Sequence, residues 1–355
     1  MDFLNKYLPV AMQFCLKGDI LSIEPYGEGH INLTLLVTTT EKRYIMQKMN
    51  TFAFPDSDGL MSNICGISEH LTAKGIETLT IVKTTNGQKY LKGIECYRVY
   101  DFIEGTVTYQ KVKNMELFKT SGKGFGDFQN YLADYDATKL IEPIKQFHNT
   151  PKRYRDFIQA LNDDLLGRKK DCEEEIRFIL NNKDNLSLIV DALNEGSIPL
   201  RVTHNDTKLN NILLDAQTNE VRAVIDFDTI MPGAMMYDFG DSIRFGASTC
   251  AEDEKDLDKV HFDINLFTVY AQGFCSSVKD TITKKEAELL AYGAYLMTIE
   301  CGMRFLTDYL VGDTYFATKY LGHNLVRCRT QFKLAREMWN NLDKMNEIVF
   351  DILYN

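Results

Sequence analysis

The 355-residue sequence has little of what marks several protein classes. It contains only 7 prolines, which excludes proline-rich and collagen-like chains. Its 8 cysteines include no C-x-x-C pair and have no regular spacing, so neither a zinc site nor a disulfide framework is indicated. No apolar run approaches the ~18 residues that a membrane-spanning helix needs. The remaining composition, 45% hydrophobic and 25% charged, is typical of a globular protein that can bury a full core.

A surplus of positive charge is also absent. The chain has 40 basic and 50 acidic residues, which gives a net charge of -10. Nucleic acid and anionic membrane surfaces are therefore not expected as partners, although a local basic pocket is compatible with this balance. The first 18 residues lack a basic start and a small-residue cleavage site, and the cysteines are expected to be reduced, so we expect a cytoplasmic protein.

Hydrophobic periodicity divides the chain into a strand-rich part and a helical part. Strands are predicted at 20–26, 31–38, 43–49, 78–84 and 96–102, with helices up to about residue 18 and over 57–74. Helical periodicity dominates from residue 114 to the end, interrupted by strands and loops at 199–228. The pattern predicts an α+β fold with a small β-rich lobe, 1–103, a larger mainly helical lobe, 104–355, and a cleft between them.

The strongest chemical signal is HNDTKLNN at residues 204–211, between two predicted strands. The pattern H-x-D-x-x-x-x-N is typical of kinase catalytic loops. Phosphoryl transfer needs a carboxylate to accept the proton of the attacking hydroxyl and an amide oxygen that reaches a magnesium ion, and Asp206 and Asn211 have this spacing. Lys208 could neutralise the transferring phosphate. A solvated polar turn explains so short a pattern about equally well.

A second acidic motif follows twenty residues later. The predicted strand 221–225 runs directly into Asp226, Phe227 and Asp228, which places a hard-cation carboxylate at a strand end. This spacing suits the metal-binding aspartate of a kinase, so Asp226 is predicted to be the first metal ligand. A literal D-F-G triplet begins at Asp238, but it follows no strand, and we interpret Asp238 as a structural cap.

A glycine-containing turn, PYGEGHIN at residues 25–32, joins two predicted strands. Gly27 and Gly29 could cover phosphates as a kinase glycine-rich hairpin does, although a tight hairpin turn explains them at least as well. His30 at the tip could face an acceptor or could be an ordinary exposed turn histidine.

These motifs resemble the aminoglycoside phosphotransferase and choline kinase superfamily, which has a protein-kinase-like two-lobed fold. Longer stretches resemble, more narrowly, the bacterial N-acetylhexosamine 1-kinase family. They include IEPYGEGHIN, RVYDFIEGTVTY, SIPLRVTHNDTKLNNILLD, VIDFDTIMPGAMMYDFGDSIRFGAST and ECGMRFLTDYL. The resemblance covers about residues 23 to 330. It implies ATP-dependent, Mg²⁺-requiring phosphorylation of the anomeric hydroxyl of N-acetylglucosamine or N-acetylgalactosamine.

The resemblance also implies roles for individual residues. By matching position, the base would be Asp206, the metal ligands Asn211 and Asp226, the phosphate-covering glycines Gly27 and Gly29, the adenine contacts Asp101 and Ile103, and the sugar-site residues His30, Arg304 and Tyr315. Arg304 precedes Asp308 on one helix face, which is the poorer order for an ion pair. Arg304 is therefore either available to a ligand or part of a solvated ion pair.

One departure from the kinase pattern concerns the third strand of the small lobe, which normally offers a lysine to the α- and β-phosphates. Gln47 occupies the matching position, and Lys48 is one residue out of phase, on the opposite face of the strand. Either Gln47 acts without a cation or a bulge turns Lys48 inward. Any lysine–glutamate pair with Glu69 is correspondingly in doubt.

Two other functions stay open. The first is a kinase of another small acceptor such as choline, homoserine or an aminoglycoside, although cationic acceptors need an acidic or aromatic cage. The second is a non-catalytic pseudokinase-like binding module. The missing lysine favours that module, whereas the spacing of Asp206, Lys208, Asn211 and Asp226 opposes it. We expect a monomer that binds ATP and an N-acetylhexosamine.

Overall fold

The computed structural model describes residues 3–27 and 31–355. It confirms the predicted α+β class, with an antiparallel sheet in the N-terminal part and mainly helices in the C-terminal part. The first sheet has the strand order β1-β2-β3-β5-β4. Its strands are β1 Ile20–Pro25, β2 Leu33–Thr39, β3 Arg43–Met49, β4 Ile81–Val82 and β5 Cys96–Asp101.

Two helices accompany this sheet, α1 Phe3–Ala11 and α2 Ser57–Ala73. The prediction that the first helix continues to about Gly18 is wrong. The chain leaves the helix after Ala11 because Phe14 forms a β-bridge with Thr84 and the Cys15 amide donates to Lys83 O at 2.9 Å. Long-range pairing thus overrides the local helical spacing.

The two faces of the sheet have different surroundings. One face packs against α1 through a buried apolar cluster that includes Leu35, Val37, Tyr44, Met46 and Val99. The other face carries Thr34, Gln47 and Arg98 toward a cavity shared with the C-terminal part. This alternation follows from the two-residue period of a strand.

Short strands frame the centre of the C-terminal part. They are β6 Thr106–Val107, β7 Arg201–Thr203, β8 Ile212–Asp215, β9 Val221–Val224 and β10 Met231–Gly233. β8 pairs with β6 and β9, and β7 pairs with β10, all antiparallel. The β7–β8 connection contains the predicted catalytic loop, and Asp226 follows the end of β9.

Helices form the rest of this part of the structure. They are α3 Met115–Tyr131, α4 Thr150–Asp163, α5 Glu173–Asn182, α6 Leu188–Asn194, α7 Met235–Gly246, α8 Ile264–Val278, α9 Lys284–Val311, α10 His323–Asn340 and α11 Leu342–Tyr354. Within the described ranges, no helix combines the length and the apolar character that crossing a membrane would require.

Helices α7 and α9 pack unusually close together. A Cβ atom added at Gly240 would lie 2.4 Å from Gly293 O, and one added at Gly293 would lie 2.6 Å from Met236 O. Only glycine permits this approach of two helix backbones. Gly240, the last residue of the literal D-F-G triplet, therefore serves helix packing.

Candidate active site

The loop from His204 to Asn211 is held by a buried carboxylate beneath it. Asp238, in the first turn of α7, accepts backbone hydrogen bonds from His204 N at 2.9 Å and Asn205 N at 2.8 Å. It also accepts the Gln129 side-chain amide at 2.6 Å. Asn205 has a φ of +62°, a left-handed conformation that Asn tolerates better than most residues. Asp238 thus supports the loop from behind, in agreement with its interpretation as a structural cap.

The His204 ring connects this loop to the end of β9. Its Nε2 lies 2.8 Å from Ile225 O, and the Asp206 amide donates to Nδ1 at 3.3 Å. The ring is completely buried and lies edge-on to Phe125, Phe128 and Phe227. One imidazole therefore fixes Asp206 and the residue before Asp226 relative to each other.

Asp206 lies at the centre of a polar cluster that opens to solvent. Its carboxylate lies 2.7 Å from Lys208 Nζ and accepts the Asn211 side-chain amide at 3.0 Å. The same amide donates to Asp206 O at 2.8 Å. Burial by itself would lower the pKa of Lys208, but the adjacent Asp206 carboxylate raises it above its ordinary value. Lys208 is therefore a cation held beside Asp206.

Asp226 has neither a hydrogen bond nor an ion pair to its carboxylate from any residue in the described ranges. Its φ is +64°, again the left-handed region. Asp226 is exposed where it lines the cavity, although protein atoms surround its carboxylate. Desolvation, together with repulsion from Asp228 and Asp206, raises its pKa to about 6, and Arg98 only partly offsets this effect. A carboxylate under this repulsion is suited to a cation that the protein itself does not provide.

The donor set around Asp226 fits a magnesium ion. Asn211 lines the same cavity, and its side-chain carbonyl oxygen accepts no hydrogen bond from the described residues. Mg²⁺ usually takes only one or two protein oxygen ligands and completes its shell with water and substrate phosphates. The described residues contain no cluster of three or more His, Cys, Asp or Glu suited to a metal.

A cavity of about 230 Å³ lies between the five-stranded sheet and this loop. Among the sequence-predicted residues it is lined by Gly27, Asp101, Ile103, Asn211 and Asp226. The structure thus brings the predicted adenine contacts and metal ligands to one cavity. The predicted residues Gly29 and His30 lie outside the described residues.

A buried polar network lines the sheet side of this cavity, and sequence reasoning missed it. Arg98 Nη1 lies 2.5 Å from Asp228 Oδ1. Gln47 Oε1 accepts hydrogen bonds from Arg98 Nε at 2.9 Å and Nη2 at 2.8 Å. Arg98 is 1% exposed. The sequence does contain one sign of this network, which is the charged Arg98 within the otherwise apolar strand CYRVYD. An arginine buried in such a strand requires polar partners.

The structure also answers the question of the strand β3 lysine. Lys48 forms an ion pair with Glu95, and Glu69 pairs with Lys89 at 2.7 Å, both at the surface. β3 pairs with β5 in regular register through this region, so no bulge turns Lys48 inward. The lysine–glutamate pair that kinases use is therefore absent from these two positions.

Arg304 lies on α9 within a group of aromatic rings. Its guanidinium carbon is 4.9 Å from the Phe147 ring centre, 5.5 Å from that of Phe316 and 5.8 Å from that of Tyr315. It forms no ion pair or hydrogen bond with any of the described residues. Of the two interpretations of Arg304, availability to a ligand therefore agrees with the structure, and an ion pair with Asp308 does not.

Asp308 instead organises the loop that carries Tyr315. Its carboxylate accepts the backbone amides of Thr314, Tyr315 and Phe316 at 2.8, 2.8 and 3.0 Å. The Asn324 side chain donates to it at 2.8 Å. Tyr315 itself is 64% exposed. The backbone on both sides of this ring is thus fixed while the ring stays accessible.

The other carboxylates on this side of the loop are already paired. Glu300 binds His148 Nδ1 at 2.7 Å and Thr150 Oγ1 at 2.5 Å. Asp241 binds Arg244, which also binds Glu252 at 2.8 Å. Each of these carboxylates thus has a partner, and Arg244 is shared by two of them.

Burial raises the pKa of the Cys301 thiol to about 12, and Arg244 and Arg304 both oppose this rise. Cys301 thus lies within the electrostatic influence of both arginines. Asp241, the partner of Arg244, in turn has its pKa lowered by Lys208 as well as by Arg244, although burial would raise it.

Several solved structures share the fold of this chain. The structure is similar to that of a microcompartment-associated aminopropanol kinase, with a TM-score of 0.65 and 14% identity over 96% of this chain and 98% of that one. An aminoglycoside phosphotransferase from Alicyclobacillus acidocaldarius has a TM-score of 0.60 and 14% identity, over 96% and 95% of the two chains. A spectinomycin phosphotransferase, solved with ADP and spectinomycin, has a TM-score of 0.50 and 13% identity, over 93% and 98%.

At these identities the likeness shows the fold alone. A family model described as the phosphotransferase enzyme family (APH) matches residues 22–267, which is more than half of the chain. The matched region contains Asp206, Lys208, Asn211 and Asp226, and it agrees with the superfamily that the sequence motifs resemble. The chain therefore belongs to the phosphotransferase enzyme family.

Proposed function

We propose that this small-molecule phosphotransferase transfers the γ-phosphoryl group of ATP to the anomeric hydroxyl of N-acetylglucosamine or N-acetylgalactosamine. The observation that carries the choice of acceptor is Arg304, a cation among the rings of Phe147, Tyr315 and Phe316. Within the described part of the chain it has no hydrogen-bond or ion-pair partner. The polar cluster around Asp206 supports the transfer itself.

In this proposal Asp206 orients the acceptor hydroxyl and takes its proton. The hydrogen bonds from Lys208 and Asn211 hold the carboxylate in place, so little reorganisation is needed at the moment of transfer. Lys208 offers its charge to the phosphoryl group beside the base. A bound Mg²⁺ would neutralise phosphate charge, with Asn211 and Asp226 as its protein ligands.

The charges on the acceptor side favour a neutral acceptor over a cationic one. The carboxylates of Glu300, Asp241 and Glu252 each have a partner, whereas Arg304 has no hydrogen bond or ion pair with any described residue. An ammonium group needs a free carboxylate or an open aromatic cage. Arg304 already occupies the aromatic group that such a cage would use. A guanidinium instead donates well to hydroxyl and amide carbonyl oxygens, which an N-acetylhexosamine provides.

The main alternative is a kinase for an amino alcohol or aminoglycoside. The structural neighbours named aminopropanol kinase and aminoglycoside phosphotransferase keep this alternative open, because one fold serves several acceptors. A binding module without turnover is the other alternative. Both make predictions that differ from those of the sugar kinase.

The test measures ADP release with Mg²⁺ and ATP and with one acceptor at a time: N-acetylglucosamine, N-acetylgalactosamine, choline or kanamycin. We expect release only with the two sugars. Release with choline or kanamycin alone would favour the amino-acceptor kinase, and ATP binding without release in any arm would favour the binding module. The product is then examined by ³¹P and ¹H NMR. Phosphorus coupled to H1, with the free anomer signals lost, supports the 1-kinase, whereas coupling to the C6 protons contradicts it.

A further inference from the structure

We infer that Arg98, on strand β5, supplies the phosphate-binding cation that other kinases place on strand β3, and that Gln47 positions it. This inference rests on the proposed use of ATP. It deepens that proposal because it names the residue that recognises the nucleotide phosphates.

The register of the sheet brings Gln47 and Arg98 together. Gln47 and Arg98 are directly opposite each other on β3 and β5. Opposite residues of an antiparallel pair project to the same face, so both side chains reach the cavity that Asn211 and Asp226 line. The Arg98 guanidinium therefore lies beside the position that a lysine at residue 47 would occupy.

A cavity that binds nucleotide phosphates needs positive charge. Arg98 is the only lysine or arginine among the described residues that line this cavity. Nucleotide phosphates carry several negative charges, and a site that binds them normally offers at least one cation besides the metal. Lys48 cannot meet this need because it pairs with Glu95 on the other face of β3.

Gln47 holds the Arg98 guanidinium in one orientation. Gln47 Oε1 accepts both Arg98 Nε and Nη2, and the Gln47 side-chain nitrogen donates to Thr34 Oγ1 at 3.1 Å. This second bond fixes which way the Gln47 amide points. A neutral amide cannot replace a missing lysine, but it can orient an arginine, which explains why glutamine is found at this position.

Arg98 keeps N–H donors that its protein partners do not use. A guanidinium has five N–H donors, and the two well-aligned bonds to Gln47 use only two of them. Arg98 Nη1 is 2.5 Å from Asp228 Oδ1, so Asp228 balances the charge of Arg98 and engages a third N–H. The remaining two N–H donors, one on each terminal nitrogen, can serve phosphate oxygens.

The test compares the binding of ADP and adenosine by isothermal titration calorimetry in the presence of Mg²⁺. Arg98→Met should weaken ADP binding about 10- to 100-fold, the range for hydrogen bonds to a charged group, and change adenosine binding less than about twofold. Lys48→Met is the matched control, because it removes a cation one residue from Gln47 but on the opposite face. It should leave both affinities unchanged.

The decisive variant is Gln47→Lys in the Arg98→Met background, which returns the cation to the usual β3 position. We expect it to recover most of the lost ADP affinity, an outcome that a purely structural role for Arg98 does not produce. If Arg98→Met does not fold, as a melting curve will show, Arg98→Lys and Gln47→Leu replace it, and each should weaken ADP more than adenosine.

Two results would overturn the inference. One is an Arg98 or Gln47 variant that binds ADP as tightly as the wild type, and the other is an equal loss of ADP and adenosine affinity without rescue by Gln47→Lys. Both leave the proposed kinase intact, because the wild type still binds ADP. A wild-type protein that binds neither nucleotide would instead contradict the proposed function, and the inference with it.

Discussion

The side-chain amide of Asn32 donates a 2.6 Å hydrogen bond to Asp228 Oδ2, and so joins two residues 196 positions apart in the chain. Asn32 directly precedes β2, and its side-chain oxygen accepts the Asn50 amide at 2.9 Å. Asp228 lies two residues after Asp226 and also contacts Arg98. The start of β2 is therefore tied to the segment that carries the proposed metal ligand.

We expect Asn32→Ala to uncouple these two segments. Loss of a partly buried hydrogen bond to a carboxylate costs about 1.5–3 kcal/mol, so kcat/KM for ATP should fall at least about tenfold. Steady-state kinetics with each substrate varied in turn will test this, with Asn86→Ala, in an exposed turn, as the control. Unchanged kinetics with ATP would contradict the role assigned to this contact.

The second prediction concerns Asp206. Asp206→Asn keeps the size of the side chain and removes the proton acceptor, so kcat should fall about 10²–10⁴-fold. ATP binding, measured by calorimetry, should stay nearly intact because the Asn211 and Asp226 oxygens are untouched. A variant that turns over at a near wild-type rate would exclude Asp206 as the base.

The third prediction distinguishes the proposed metal ligand, Asp226, from an aspartate with a structural role, Asp238. Asp226→Ala should abolish Mg²⁺-dependent turnover and leave the melting temperature unchanged or higher, because it removes a carboxylate repelled by Asp228 and Asp206. Asp238→Ala should lower the melting temperature, because three buried donors lose their acceptor at about 1–3 kcal/mol each. Melting curves and Mg²⁺ titrations of activity will distinguish them. Loss of activity in a fully stable Asp238→Ala, with an active Asp226→Ala, would reverse the assignment.

Much of the local structure is predictable because it depends on short-range patterns. The predicted strand 43–49 matches β3, and the helix predicted over 57–74 matches α2 within one residue. The predicted strand 78–84 shortens to Ile81–Val82, and the first helix ends at Ala11. In both regions pairing with distant residues decides the outcome, and local spacing does not contain that information.

In the candidate site, too, the contacts between residues close in sequence are predictable, and those between distant segments are not. Asp206, Lys208 and Asn211 are close in sequence, so their spacing already indicates their cluster. The contacts among Arg98, Gln47 and Asp228 involve three separate segments. Only the register of β3 against β5 brings Gln47 opposite Arg98, and a single sequence does not specify that pairing.

The last prediction concerns acceptor recognition at Arg304. Arg304 forms no hydrogen bond or ion pair within the described ranges, although Glu300 lies within its electrostatic influence, so Arg304→Ala should remove a ligand contact without breaking an internal ion pair. We expect kcat/KM for the sugar to fall by about 1–3 kcal/mol, or roughly 5- to 150-fold, with KM for ATP unchanged. Asp308→Asn should have a similar but smaller effect, because the backbone of Thr314, Tyr315 and Phe316 loses part of its anchor. Lys285→Ala, at the exposed start of α9, is the control. If Arg304→Ala instead improves turnover of choline or kanamycin and leaves the sugar unaffected, the aromatic group is a cage for a cationic acceptor and the sugar assignment is wrong.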